Sequence, residues 1–221
     1  MADDDTPKTG AIKEKLIRSK QSWAREGRLL TGHSAPPAQR LPPGQRKVED
    51  WPVLDLGVTP AVDRTKWKLV CDGLAQNPVT WDWGTFMAQP QVTMTSDIHC
   101  VTGWSRFDNA WTGVHALHVL DVVQPPPEAR HIVFHSHDGY TTNVRLDYFA
   151  DGDVLLAHSW QGKPLDIEHG GPVRVVIPKR YFWKSAKWVR RIEFLAEDRP
   201  SYWEVNGYHN EADPWTEERY G

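Results

Sequence analysis

Alternation of apolar and polar residues, the pattern of a half-buried strand, recurs along the chain from about residue 66 onward. Residues 66–71 (KWKLVC) alternate in this way and end at Asp72-Gly73, a turn signal. Two such runs flank His137-Asp138-Gly139, and this arrangement predicts a β-hairpin. The further predicted strands are residues 92–95, 130–134, 141–146, 151–158, 173–177 and 187–195.

Helical periodicity is confined to short stretches in this part of the chain. Residues 79–89 predict a short helix or turn. Residues 113–123 predict a helix with Thr112 as its N-cap residue, and the prolines at 125–127 end it. Because strands dominate and helices are short, we expect an α+β fold with β-rich mixed sheets.

The first 50 residues have a different character. Residues 10–30 predict a basic amphipathic helix, and residues 32–44 contain four prolines, which is typical of an extended linker. We therefore expect an N-terminal arm at residues 1–50 and one domain at residues 51–221. The aromatic, turn-rich C-terminal segment is expected to wrap the core of that domain.

Composition and charge exclude several classes of function. A formal net charge of −3 over 221 residues is a poor match for nucleic acid. No apolar run approaches the ~18 residues of a membrane span. The first ten residues are acidic and polar and lack the apolar stretch of an export signal, so we expect a cytoplasmic protein with reduced cysteines. Twelve tryptophans suit either a wide apolar pocket or many loop anchors.

One of the two cysteines, Cys100, stands between His99 and a Val-Thr-Gly-Trp turn. An inert buried thiol is the usual role of an intracellular cysteine. His99 is poorly placed as a base for Cys100, because neighbours on an extended chain point to opposite faces. No second cysteine stands at the spacing of a structural zinc site. Two roles therefore remain for Cys100. It is either an inert buried thiol or a thiolate ligand to a metal that a cofactor brings.

Two other groups of residues could bind ligands. His131, His135 and His137 would share a face of one strand and could converge on zinc, although polar contacts in a pocket are the favoured interpretation. Gly170 and Gly171 offer backbone N–H groups beside five cations, as in a phosphate pocket, and a basic strand edge is the alternative. The five cations are Arg174, Lys179, Arg180, Lys184 and Lys187.

Six segments, taken together and in order, resemble the molybdenum-cofactor domain of the sulfite oxidase family. The resemblance covers roughly residues 51–221 and extends to small bacterial sulfite oxidase-like oxidoreductases, which are related to the methionine-sulfoxide reductase catalytic subunit. It implies the sulfite oxidase-type molybdopterin-binding fold. The segments are DIHCVTGWS at 97–105, WTGV at 111–114, DGYTTNV at 138–144, EHGGPVRVVIP at 168–178, KSAKWVRRIEF at 184–194 and GYHNEADPWTEERY at 207–220.

The resemblance implies roles for individual residues. It makes Cys100 the protein ligand to molybdenum, and a soft thiolate suits a metal whose other ligands include the two dithiolene sulfurs of the pterin. It implies that Arg106 polarises the substrate oxygen or supplies protons. His169 stands where the family has asparagine, and both side chains can form hydrogen bonds. The residues implied to contact the molybdopterin are Cys100, His135, Ser136, His169, Arg174, Ser185, Ala186 and Lys187.

The implied activity is two-electron oxygen-atom transfer on a small substrate, either reduction of an S-oxide or N-oxide or a sulfite-type oxidation. The chain carries no flavin, haem or iron–sulfur motif, so a separate electron-transfer protein with one of these cofactors is implied. Two alternatives remain open. One is a non-catalytic module that binds a phosphorylated small molecule, and the other is a thiol or zinc hydrolase that uses Cys100 and the three histidines.

Overall fold

The computed structural model describes residues 40–221, and the predicted helix at residues 10–30 lies outside the described residues. In this part of the chain the strands form two sheets with few, short helices between them, so the predicted α+β class is confirmed. The strands are β1 (Arg46–Lys47), β2 (Lys68–Gly73), β3 (Val79–Asp82), β4 (Gln91–His99), β5 (Trp104–His115), β6 (His131–Ser136), β7 (Thr141–Arg145), β8 (Leu155–Trp160), β9 (Lys163–Pro164), β10 (Arg174–Val176) and β11 (Val189–Leu195).

The helices are short and lie at the ends of strands. The helix that the sequence predicts at residues 113–123 begins at Ala116 instead, because β5 continues as a strand to His115. The His115 ring then caps the helix, its Nδ1 accepting from the Leu117 N–H at 3.0 Å. The helices are α1 (Trp83–Ala88), α2 (Ala116–Val123), α3 (Leu146–Phe149) and α4 (Tyr202–Val205), and 3-10 turns occur at Ile167–His169 and Phe182–Lys184.

The first sheet is built around the long strand β5. Strands β1, β4 and β8 all pair with β5, β1 in parallel and the other two antiparallel, and β10 and β9 extend the sheet from β8. Gly113 is required in β5, because a Cβ there would lie 2.1 Å from the Leu156 carbonyl oxygen. The β4–β5 hairpin thus carries its short connection, residues 100–103, to one edge of the sheet.

The second sheet has the order β3-β2-β11-β6-β7. Strand β11 runs parallel to β2 and antiparallel to β6, and the predicted hairpin is confirmed as β6–β7. Apolar side chains from both sheets meet in the larger core, for example Val114 and Leu156 from the first and Phe134 and Ile192 from the second. Cys71 is fully buried in this core.

Residues 40–50, which the composition assigns to the arm, pack on the first sheet. The Arg40 guanidinium binds the Asp97 carboxylate, with Nε to Oδ2 at 2.8 Å. The Arg46 N–H donates to the Gly103 carbonyl at 2.9 Å and begins β1. A proline-rich stretch is extended, and an extended chain can pair at a strand edge, so the linker character of these residues does not prevent them from joining the sheet.

Candidate active site

The turn that bears Cys100 closes the β4–β5 hairpin. The Cys100 N–H donates to the Trp104 carbonyl at 2.8 Å, and the Gly103 N–H donates back to the Cys100 carbonyl at 3.0 Å. Gly103 has φ +89°, a left-handed conformation that glycine adopts without steric cost. The CVTGW sequence therefore folds into a tight turn that places the thiol at the edge of the sheet.

The Cys100 thiol borders a cavity of about 310 Å³ and is 6 % exposed. Its Sγ lies 3.2 Å from the Thr102 hydroxyl. Burial raises the pKa of the Cys100 thiol, while contacts with Thr102 and the charge of Arg219 partly offset this rise. His99 points the other way, with Nδ1 at 2.8 Å from the Ser105 hydroxyl, as the alternation of neighbouring side chains predicts. Among the described residues, the hydrogen-bond partner of the thiol is therefore Thr102 and not the His99 imidazole.

Eight aromatic side chains line the cavity. Trp203 and Tyr208 stack on each other with ring centroids 4.7 Å apart, and Trp51 stacks on His169 at 3.9 Å. Such rings exclude water and offer flat surfaces to a planar ligand. The aromatic residues of the wall are Trp51, Trp104, Tyr140, Phe182, Trp183, Trp188, Trp203 and Tyr208.

Two cations face the cavity. Arg174 is 2 % exposed and donates to the carbonyls of His169 and Ser185, each at 2.9 Å. No carboxylate of residues 40–221 lies within ion-pair distance of its guanidinium, and burial lowers the pKa of Arg174 to about 9. Lys187 lies 3.8 Å from Asp55, and burial together with Arg174 lowers the pKa of Lys187 to about 8. Lys187 thus has a carboxylate partner in Asp55, whereas the Arg174 guanidinium is a buried positive charge without one among the described residues.

A buried hydroxyl and a glycine cradle complete this end of the cavity. Ser136 is 1 % exposed, and its Oγ has no hydrogen-bond partner among the described residues. Gly170 has φ +106°, and a Cβ there would lie 3.0 Å from Lys187 Cβ and 3.1 Å from Arg174 Cβ. Buried polar groups without partners are rare in folded proteins, so an orphan hydroxyl in the same cavity as a guanidinium without a carboxylate partner fits a polar, anionic ligand.

Most residues that the sequence nominated are brought together here. Cys100, Ser136, His169, Arg174, Ser185 and Lys187 all line the cavity. Ala186 lies buried between the last two, and its carbonyl accepts from the Val175 N–H at 2.8 Å.

Two nominated residues lie away from the cavity. Arg106 donates to the Glu49 carbonyl at 3.0 Å and to Asn109 Oδ1 at 2.5 Å, and it lies 4.6 Å from the Trp160 ring centroid. His135 binds Glu193 at 2.8 Å in a separate groove. Neighbours on β6 point to opposite faces, so only one of His135 and Ser136 can face the cavity.

The three histidines of the sequence motif do not converge. His131 lies 3.4 Å from Asp198, whereas His135 pairs with Glu193. Across residues 40–221, no group of three or more histidine, cysteine, aspartate or glutamate side chains is placed to hold a metal ion. The strand does place His131 and His135 on one face, but their partners there are carboxylates. The zinc site considered from the sequence is therefore not supported by this geometry.

The sequence did not identify several residues of the cavity. Trp51, Trp203 and Tyr208 come from the start and the end of the domain and reach the wall through long-range packing. Tyr208 lies close to Cys100, and burial together with Tyr220 and Cys100 raises the pKa of its phenol. The aromatic richness of residues 201–221 is the signal that could have pointed to this wall.

Residues 56–203 match the model of a protein family described as oxidoreductase molybdopterin binding domain. The chain belongs to this family. An anionic organic cofactor accounts for the unpaired Arg174 and the orphan Ser136 hydroxyl, and a sulfur-coordinated metal accounts for a lone thiol. The protein is thus a molybdenum-cofactor-dependent oxidoreductase with a sulfite oxidase-type domain.

Proteins with sequences similar to this chain are also named as oxidoreductases or reductases. This chain is 44 % identical over 182 residues to the Uncharacterized oxidoreductase YuiH of Bacillus subtilis (strain 168), and the alignment covers 82 % of this chain and 92 % of that protein. It is 28 % identical to the protein-methionine-sulfoxide reductase catalytic subunit MsrP of Ralstonia nicotianae, over 67 % of this chain and 51 % of that protein. Mitochondrial sulfite oxidase of Drosophila melanogaster is 30 % identical over 44 % of this chain and 19 % of its own length.

A solved structure shares the fold of the molybdopterin-binding domain. The sulfane dehydrogenase SoxCD of Paracoccus pantotrophus superposes with a TM-score of 0.59 at 19 % identity, over 67 % of this chain and 42 % of that chain. The chain therefore spans about half or less of SoxCD and of the two longer relatives above. None of the helices within residues 40–221 is long and apolar enough to cross a membrane.

Proposed function

We propose that this enzyme transfers an oxygen atom to or from a small substrate in a two-electron reaction, with Cys100 as the protein ligand to molybdenum. One observation carries the proposal: the Cys100 thiol and the unpaired Arg174 guanidinium open into the same 310 Å³ cavity. Metal ligand and anion-binding group are thus available to a single cofactor that carries both a metal and a phosphate.

The residues at the charged end would hold the organic part of the cofactor. Arg174 and Lys187 would neutralise its phosphate, and the Ser136 hydroxyl would gain the partner that it lacks within the described protein. The Gly170 backbone approaches closely because it has no Cβ. When bound, the cofactor supplies two-electron redox chemistry and exchange of an oxygen atom at its metal.

The chain's own groups would orient the substrate and supply a proton. The stacked Trp203 and Tyr208 rings exclude water on the side where Tyr208 comes close to Cys100. Because the pKa of Tyr208 is raised, its hydroxyl keeps its proton at neutral pH and would donate a hydrogen bond to the substrate oxygen. Reduction of an S-oxide or N-oxide consumes two electrons and two protons and releases water.

The charge of the cavity favours a neutral substrate. Among the described residues that line it, the cations are Arg174 and Lys187, and both would be engaged by the phosphate. Arg106, the cation expected at the metal, is bound to Glu49 and Asn109 instead. A neutral S-oxide or N-oxide therefore fits the aromatic remainder of the cavity better than the sulfite anion.

Electrons would come from a separate electron-transfer protein that carries flavin, haem or an iron–sulfur cluster. The name of the Ralstonia nicotianae relative, a catalytic subunit, supports a division of labour of this kind. The cytoplasmic location stays a prediction, and fractionation of cells that produce the protein would test it.

The test is the molybdenum content of purified protein from a host that makes the cofactor, measured by elemental mass spectrometry. We expect near-stoichiometric molybdenum in the wild type and a strong decrease, or an altered ligand absorption band, in Cys100→Ser. Cys71→Ala is the matched control, because Cys71 is buried in the core away from the cavity. Loaded protein is then assayed with dimethyl sulfoxide, trimethylamine N-oxide and sulfite.

Metal-free wild type, from a host shown to load a related enzyme, would overturn the proposal and favour a non-catalytic phosphate-binding module. Turnover of sulfite alone would keep the molybdenum site and refute the preference for a neutral substrate.

A further inference from the structure

The turn that carries Cys100 is held from outside by residues from both ends of the described chain. Gln45 Nε2 donates to the Cys100 carbonyl at 3.1 Å, and Gln45 Oε1 accepts from the Ser105 hydroxyl at 3.2 Å. The Arg219 guanidinium donates to the Val101 carbonyl. Gln45 and Arg219 lie 55 and 118 residues away from the carbonyls that they bind, so only the tertiary fold brings them here.

The two holding segments also pack on each other. The Arg219 guanidinium lies 3.4 Å from the Gly44 carbonyl oxygen. A Cβ at Gly44 would lie 2.6 Å from Glu217 Oε1 and 3.1 Å from Arg219 Nη2, so the ends of these two side chains pack directly against Gly44. The Arg46 N–H adds a backbone hydrogen bond to the Gly103 carbonyl at 2.9 Å. Segments 44–46 and 217–219 therefore form one clamp around the turn.

The clamp adds a second hydrogen bond to the Cys100 carbonyl, which already accepts from Gly103, and it supplies the hydrogen bond of the Val101 carbonyl. Within the turn, the hairpin provides the hydrogen bonds of Cys100 with Trp104 and of Gly103 with Cys100. The Val101 carbonyl depends on Arg219, whose charged donor makes a stronger hydrogen bond than a neutral one. Residues that bind a metal need support from neighbouring groups to keep their orientation, and here that support comes from outside the hairpin.

We propose that Gln45 and Arg219 are positioning residues that keep the Cys100 thiol directed into the cavity. Both residues lie outside the range 56–203 that matches the family model. The inference rests on the proposed role of Cys100 as the metal ligand. Loss of either side chain would free the turn to open, expose the thiol and alter the metal–sulfur geometry, while the two sheets remain folded.

The experiment measures alkylation of Cys100 by iodoacetamide in cofactor-free, full-length protein, followed by peptide mass spectrometry. Gln45→Glu keeps the size and the acceptor for Ser105 but removes the N–H donor to the Cys100 carbonyl. Arg219→Ala removes the second donor, and Arg219→Lys restores a charged donor. Lys47→Ala is the matched control, because Lys47 is exposed on β1 and pairs with Glu49 at the surface.

Both substitutions make the surroundings of the Cys100 thiol more negative, so the alkylation rates are compared per fraction of thiolate. On that basis we expect Cys100 to react about tenfold faster in Gln45→Glu and Arg219→Ala, which corresponds to ~1.4 kcal/mol in the opening equilibrium of the turn. Arg219→Lys and Lys47→Ala should react near the wild-type rate, and the buried Cys71 should remain unmodified in every variant. In loaded protein, the thiolate–molybdenum absorption band should change in Arg219→Ala and return in Arg219→Lys.

Wild-type alkylation rates in both Gln45→Glu and Arg219→Ala would overturn the inference. Parallel modification of Cys71 and Cys100 would also overturn it, because the variants would then be unfolding globally rather than opening the turn. Cofactor-free protein suffices for this measurement. Metal-free wild type would therefore refute the proposed function, and unchanged alkylation rates would refute the clamp, so the two results are distinguished.

Discussion

Replacing Arg174 with glutamine should change cofactor binding much more than the stability of the cofactor-free protein. Burial lowers the pKa of Arg174 from its ordinary value to about 9, and at ~1.4 kcal/mol per pKa unit this costs the charged form about 5 kcal/mol. Its hydrogen bonds to the His169 and Ser185 carbonyls return roughly 1.5 to 3 kcal/mol each. The two contributions nearly cancel, so Arg174→Gln should alter the unfolding free energy of cofactor-free protein by no more than about 2 kcal/mol.

The loaded protein should respond differently, because the anion of the cofactor would compensate the buried charge. Removing one partner of a buried ion pair costs ~3 to 5 kcal/mol. That energy corresponds to a loss of roughly 10² to 4 × 10³ in cofactor affinity. We therefore expect Arg174→Gln to be purified with little molybdenum and little pterin, although it folds.

The assay compares protein from a cofactor-producing host and from a cofactor-deficient host. Molybdenum is measured by elemental mass spectrometry, the pterin by the fluorescence of its oxidised form, and stability by urea unfolding. Arg145→Gln serves as the control, since Arg145 is a surface residue paired with Asp147. Full cofactor content in Arg174→Gln would show that Arg174 does not hold the cofactor. A loss of 4 kcal/mol or more without cofactor would refute the near-cancellation in the cofactor-free protein.

Two further predictions concern Lys187 and a buried ion pair. The pKa of Lys187 is lowered from 10.5 to about 8, so between these pH values the folded protein binds fewer protons than the unfolded chain and gains stability as pH rises. The affinity of the folded protein for inorganic phosphate should fall as pH rises through about 8, where folded Lys187 loses its charge, and Lys187→Gln should remove both effects in urea unfolding and phosphate titrations. Lys184 and Glu204 are 1 % and 2 % exposed and lie 2.5 Å apart. Lys184→Met should cost ~3 to 5 kcal/mol in urea unfolding, and the double variant Lys184→Met/Glu204→Leu should cost less, because no charge is left unpaired; an equal or larger loss would refute this.

The local pattern predicted those elements whose partners are near in sequence. The hairpin β6–β7 follows from two alternating runs around Asp138-Gly139, because a tight turn brings such runs together. The start of α2 was predicted three residues too early, because residues 113–115 belong to β5. Strands β4 and β8 pair with β5 on either side, and this pairing overrides the helical spacing of a few residues.

The residues of the candidate site likewise include some that the local sequence predicts and others whose position depends on the tertiary structure. The alternation of side chains on β6 shows that one of His135 and Ser136 faces the cavity, but the choice depends on which face of the second sheet is covered. Arg106 lies close to Cys100 in sequence, yet β5 directs it toward Glu49 and Asn109. Proximity along the chain was a poor guide there, because residues of one strand reach different faces.

The sequence by itself determined the thiol-bearing turn and the cationic segment that follows Gly170, because each is a contiguous stretch whose chemistry does not depend on distant partners. Only the tertiary structure decided that these two segments share one cavity, that Trp203 and Tyr208 close its wall, and that Arg219 supports the turn. Such contacts join residues that are tens of positions apart, and they exist because the sheets and the C-terminal segment bury their apolar faces against one another.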